Sequence, residues 1–115
     1  MNSSGNDTAK QEKQAFSFVE DSRSETTCRF TLKGRVSINE ASFMEKTLEN
    51  AVQAGCNHLI INMCLVDWFS SAGIRVILAM YKKLKLRGGV LQIENPSENV
   101  QNVIGMTALD ELLLK

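Results

Sequence analysis

Two adjacent hydroxyls, Ser70 and Ser71, sit inside VDWFSSAGIRVIL (residues 66–78). They follow an acidic Asp67 and precede Gly73 and a run with helical apolar spacing. Serines at such a strand-to-helix junction support three chemistries. One can cap the helix by accepting a hydrogen bond from a free first-turn amide. One can act as a nucleophile if a general base lies about 3 Å away. One can also carry a phosphate, because first-turn amides and the positive end of the helix dipole favour an anion there.

The nucleophile fails first. The only histidine, His58, opens the strand whose far end leads to the serines. A strand of about five residues at about 3.3 Å each already puts about 16 Å between them. No G-x-S-x-G elbow surrounds either serine. The phosphate-cradling patterns G-x-x-x-x-G-K-[ST] and G-x-G-x-x-G are also missing from the sequence. Asn62, a neutral amide, occupies the expected strand-end position of a phospho-acceptor aspartate, and Asp67 has no carboxylate cluster around it. Neither aspartyl-phosphate chemistry nor a metal site is expected, and no cofactor is implied. None of these enzyme chemistries finds its residues in the sequence.

Composition narrows the partners. Lys plus Arg and Asp plus Glu are 13 each in 115 residues, so the formal net charge is zero and a broad grip on nucleic acid or anionic membrane is not expected. The densest basic stretch, YKKLKLR (residues 81–87), falls where cations complement a helix C-terminus. No apolar run reaches the roughly 20 residues of a membrane helix, and the N-terminus lacks a secretory apolar segment, so a cytoplasmic protein is expected. Cys28, Cys56 and Cys64 fit neither a disulfide framework nor a zinc pattern by spacing. Three free, mostly buried thiols are the expectation.

These junction residues need elements to hold them. Residues 1–14 are polar and read as a disordered tail, leaving 15–115 as one domain. AFSFVED and TTCRFTLKGRV alternate with period two on either side of DSRSET, the pattern of a β-hairpin. From Ser37 the period becomes helical, with Ala41, Met44, Leu48, Ala51 and Val52 on one face and Gly55 behind it. Ser37 and Glu40 have capping-box spacing. HLIINMCLV reads as a short strand buried on both faces. A second helix carries Ile74, Ile77, Leu78, Tyr81 and Leu84 inward and stops at Gly88-Gly89. GVLQIEN is a further strand, SENVQNVIGM a short helix with Ser97 as cap and Val100, Val103 and Ile104 inward, and TALDELLLK one or two more helical turns. The order β-β-α-β-α-β-α-α predicts a mixed α/β sheet of about four strands, an antiparallel edge hairpin plus parallel strands, with helices packed on it.

The stretches LKGRVSI, HLIINMCLVDWFSSAGIRVILAMYKKLKLRGGVLQIENPSENVQNVIGM and TALDELL together resemble the STAS domain family, in particular the bacterial anti-sigma factor antagonists. VDWFSSAGI lies without a gap over the family pattern V-D-F-I-D-S-S-G-L. The resemblance implies a STAS-like sheet, with Ser71 as the phosphorylated serine, Ser70 as second choice, and Gly73 as the glycine of the helix start. It implies a partner-binding surface drawn from Ser37, Asn62, Asp67, Ser70, Ser71, Gly73 and Arg75. The partners implied are an anti-sigma factor with a kinase-like ATPase domain and a serine phosphatase, with the antagonist itself a monomer or weak dimer. In such a circuit the unphosphorylated antagonist binds the anti-sigma factor and frees the sigma factor. Phosphorylation by the same kinase ends the interaction, and the phosphatase restores it. The chain departs from the family by Ser70 in place of an aspartate, by Ser37 in place of an acidic residue, and by the expected lack of a last strand and helix beyond Lys115. Ser70 in particular keeps open an alternative, a non-phosphorylated STAS interaction module in another regulatory complex.

Overall fold

A computed structural model of the chain describes residues 15–106. The expected tail and the helical turns of TALDELLLK lie outside the described residues. Seven elements follow in the expected order: β1 (Ser17–Ser24), β2 (Thr27–Val36), α1 (Ile38–Gln53), β3 (His58–Phe69), α2 (Ser71–Leu86), β4 (Val90–Glu94) and α3 (Glu98–Met106). They form a four-stranded sheet in the order β1-β2-β3-β4. β1 pairs antiparallel with β2, and the other two pairings are parallel. This is the mixed sheet with an antiparallel edge that the element order demands.

The hairpin is tighter than its polar connector implied. Most of DSRSET is strand, and only Glu25 and Thr26 turn, with Glu25 in the left-handed region at φ 52°. Beyond Phe18 every residue of β1 is exposed, so alternation was never available to reveal that half of the strand. β2 does alternate, and Cys28, Phe30, Leu32 and Val36 are buried. Its core face meets α1, whose buried residues are Ala41, Met44, Leu48, Ala51 and Val52, the predicted set. α2 is rotated by about one position from expectation: Gly73, Val76, Ile77, Met80 and Leu84 are buried, while Ile74, Leu78 and Tyr81 are half-buried. α3 inserts Val100 and Ile104 into the same core and leaves Val103 half-buried.

Two expectations need correction. β3 is neither short nor buried on both faces. It runs for 12 residues because β2 keeps pairing with it as far as Val36 opposite Phe69. One face packs Leu59, Ile61 and Met63 into the core, whereas the other holds half-buried His58 and Asn62 and exposed Cys64. Ile60 is buried on that polar face, on the rung between Arg29 of β2 and Gln92 of β4, and Arg29 also reaches across β3 to both carboxylate oxygens of Glu94 on β4, at 3.1 and 3.2 Å. The thiols are likewise not all free. Cys28 and Cys56, both buried, form a disulfide that ties the start of β2 to the turn after α1, and exposed Cys64 is the free cysteine. Spacing could not show this, because strand pairing and the return of α1 bring together residues 28 apart in sequence.

Candidate functional site

Parallel strands finish at the same end of a sheet, so the helices that follow them start there too. The Ser70 amide donates to the Val36 carbonyl at 3.0 Å, which ties the end of β3 to the end of β2. Ser37 and Ser70 come next in each segment, and the N-termini of α1 and α2 therefore lie side by side. The third helix starts on a serine as well. The Ser97 hydroxyl donates to the Val66 carbonyl at 2.8 Å and accepts from the Val100 amide at 3.3 Å.

The question of two hydroxyls has a geometric answer. Ser70 is extended (φ −83°, ψ 168°) and its Oγ accepts from the Gly73 amide at 3.3 Å, so it is the helix cap. Ser71 is the first residue of α2 and is exposed, and among the described residues no hydrogen bond occupies its hydroxyl. Gly73 is needed for packing: a Cβ there would stand 2.8 Å from Cε1 of Phe69, a ring buried in the core.

At the head of α1 the Ser37 amide donates to Glu40 Oε1 at 3.1 Å, and its hydroxyl donates to the same oxygen. That hydroxyl first, and then the backbone amides of Glu40 and Ser37, hold the Glu40 carboxyl below the usual carboxylate range. Arg75 is exposed on α2 one turn after Ser71 and lines a groove of about 490 Å³ between α1 and α2.

The strand residues divide. Asp67 is the extra residue of a β-bulge, since Gly34 pairs with Val66 and Arg35 with Trp68. It is half-buried, three residues before Ser70, and its carbonyl accepts from the Asn99 amide group. Asn62 lies eight residues upstream, on the rung with Thr31 and Glu94, where its Oδ1 accepts from the Cys64 amide at 3.0 Å. The structure thus gathers Ser37, Ser70, Ser71, Gly73 and Arg75 with Asp67 beside them, and it leaves Asn62 on the open face of the sheet.

One neighbour escaped the sequence reading. The Arg35 guanidinium lies 4.0 Å from the centre of the Trp68 ring, and Trp68 remains 39% exposed two residues before Ser70. An arginine at the end of one strand and an aromatic at the end of the next were visible signals, but only the register sets them opposite each other. His58 stays at the far end of β3, its Nε2 3.4 Å from Gln92 Oε1. About 40 Å of extended chain separates it from Ser70, even farther than the short-strand estimate. Among the described residues no group of three His, Cys, Asp or Glu side chains could hold a metal, and no helix is long and apolar enough to cross a membrane.

The sequence model of the STAS domain matches residues 19–115. An anti-sigma-B factor antagonist of Bacillus subtilis (strain 168) is 24% identical over 97 residues, covering 83% of this chain and 86% of its own length. Among solved structures, the anti-sigma factor antagonist SpoIIAA in its unphosphorylated form superposes with a TM-score of 0.73 at 19% identity, over 88% of this chain and 86% of that one. The Bacillus cell fate determinant SpoIIAA in the phosphorylated form gives 0.68 at 19% identity, over 88% and 89%. At these identities the structural likeness establishes the shared fold.

Proposed function

Since the chain belongs to the STAS domain family, we propose that it is an anti-sigma factor antagonist of the cytoplasm, switched off by phosphorylation of Ser71. A single observation carries the choice of residue: the Ser70 hydroxyl is taken up by the Gly73 amide, while the Ser71 hydroxyl is exposed and unoccupied among the described residues. A relative named as an anti-sigma-B factor antagonist and a fold neighbour solved in both phosphorylation states support the same reading.

In this reading the unmodified surface around the heads of α1 and α2 docks on an anti-sigma factor with a kinase-like ATPase domain. Ser71, Asp67, Ser37, Arg75 and the exposed Ile38 form its centre. The kinase transfers the γ-phosphoryl of ATP to Ser71 Oγ: the new O–P bond forms, ADP leaves, and the hydroxyl proton passes to a base or to solvent. The added charge of about −1.5 to −2 must then be desolvated at the interface, and the complex dissociates. A serine phosphatase reverses the change by hydrolysis. Asn62 belongs to this surface only if the partner also reaches the open face of the sheet.

Incubation with ATP and the organism's own kinase-type anti-sigma factor, read by intact mass and phosphopeptide mapping, tests the proposal. One phosphate on Ser71, lost in Ser71→Ala and kept in Ser70→Ala, is the expected result. Phosphate on Ser70 would reverse the assignment. A chain modified by no such kinase would be a constitutive interaction module.

A further inference from the structure

Residues four apart on a helix have Cβ atoms about 5–6 Å from each other, and helical side chains lean toward their own N-terminus. Arg75 stands in that relation to Ser71, with both residues exposed on α2. A guanidinium at that position is within reach of a group carried on the Ser71 hydroxyl. Among the described residues it has no ion pair or hydrogen bond. It lines the groove between α1 and α2, with Glu45 on the α1 wall and Lys82 two turns farther along α2. The neighbouring cations are less suited to Ser71. Arg35 has its guanidinium over the Trp68 ring. Lys82 is 11 residues from Ser71, about 16 Å along the helix axis. Glu40, the carboxylate of the adjacent helix head, is engaged by Ser37.

We propose that Arg75 holds the phosphate of phosphorylated Ser71 and, in doing so, withdraws its positive charge from the groove between α1 and α2. The inference rests on the reading of Ser71 as the acceptor. A planar guanidinium can meet two phosphate oxygens at once, which a lysine ammonium matches only as a point charge. Modification then changes two places together. A dianion appears at the head of α2, and the groove keeps Glu45 and Lys82 without the cation of Arg75. A partner fitted to the unmodified charge pattern loses that complementarity as well as meeting the phosphate. Arg75 is in this sense a positioning residue for the switch.

Phosphoserine placed at position 71 during translation tests this without any kinase. Phosphorus NMR follows the second ionisation of that phosphate in three chains carrying Arg75, Arg75→Lys or Arg75→Gln. The ionisation should fall at a pH about 0.3 units lower with Arg75 than with glutamine, with lysine between them. The gap should close in about 1 M salt. The side-chain N–H resonances of Arg75 in the otherwise native chain should move on phosphorylation, which supplies a readout that needs no substitution. Superimposable titrations in the three chains, or an unmoved Arg75 resonance, would overturn the proposal. A kinase that ignores Ser71 sinks the functional reading and leaves this measurement untouched, so the two failures are told apart.

Discussion

Helices α1 and α2 begin at neighbouring strand ends, each on a serine, yet they complete their first turns differently. At α1 the Ser37 amide and hydroxyl both turn to the Glu40 carboxylate, so serine and acid form a closed pair. At α2 there is no acidic residue in the first turn, and the Ser70 hydroxyl alone receives the Gly73 amide. Ser71 is then a second hydroxyl that the cap does not need. The two heads differ in their surroundings too, since residues 28–56 are closed by a disulfide that encloses all of α1, while α2 lies outside that loop. A surplus polar group beside a completed cap marks a position available to function; a polar group inside the cap marks one committed to the fold.

The disulfide offers the largest handle on this contrast. Closing a loop of 28 residues stabilises a chain by roughly 3–4 kcal/mol in the entropic picture. A Cys28→Ala, Cys56→Ala variant should lose stability on that order in denaturant titrations. Amide exchange should accelerate first in α1 and only later in α2. Intact mass after alkylation in denaturant without reductant reports the bond, since Cys28 and Cys56 are buried in the folded chain; alkylation of all three cysteines would show that the staple is open. Next comes Ser71→Asp, which should keep its fold because a carboxylate suits a helix head. Its complex with the anti-sigma factor should weaken about a hundredfold, equivalent to about 2.7 kcal/mol. Wild-type affinity in calorimetry would remove Ser71 from the switch.

Smaller effects separate the two serines of α2. Ser70→Ala should cost about 1 kcal/mol of stability by removing the cap. Ser71→Ala should stay within about 0.5 kcal/mol, as exposed substitutions usually do. The reverse order, measured by thermal unfolding, would mean the caps have been exchanged. The mildest test is acid. The Glu40 carboxyl, held low chiefly by the Ser37 hydroxyl, binds its proton more readily in the unfolded chain. Its contribution is therefore complete above the ordinary carboxylate range and disappears as pH falls through the lower, folded-state value. Glu40→Gln should flatten that part of the stability profile at α1, whereas α2, with no acid in its first turn, should show no counterpart. An unchanged acid limb would place the linkage elsewhere.

Much of this architecture was legible in residue periods. The buried face of α1 matched residue for residue because a long amphipathic helix repeats its signal over four turns. β3 misled for the opposite reason: Ile60 makes the run look apolar on both faces, although half-buried His58 and Asn62 and exposed Cys64 share its face. The exposed half of β1 carried no signal at all. At the site, the motif supplied the serines, Gly73 and Asp67 and pointed to Ser71 ahead of Ser70, but cap preference alone could not say which hydroxyl closes the helix, since both satisfy it.

Local chemistry depends on near neighbours along the chain, and so the sequence by itself determined the helix heads, the strand and helix periods, and the separation of His58 from Ser70 and Ser71 by the length of a strand. The sheet decided everything that joins distant segments. Register set Arg35 against Trp68, made Asp67 a bulge, and placed Asn62 on the rung of Thr31 and Glu94 rather than at the helix heads. The return of α1 closed Cys56 onto Cys28. Those outcomes follow from which backbone groups find one another across the sheet, and no count of residues along the chain contains that information.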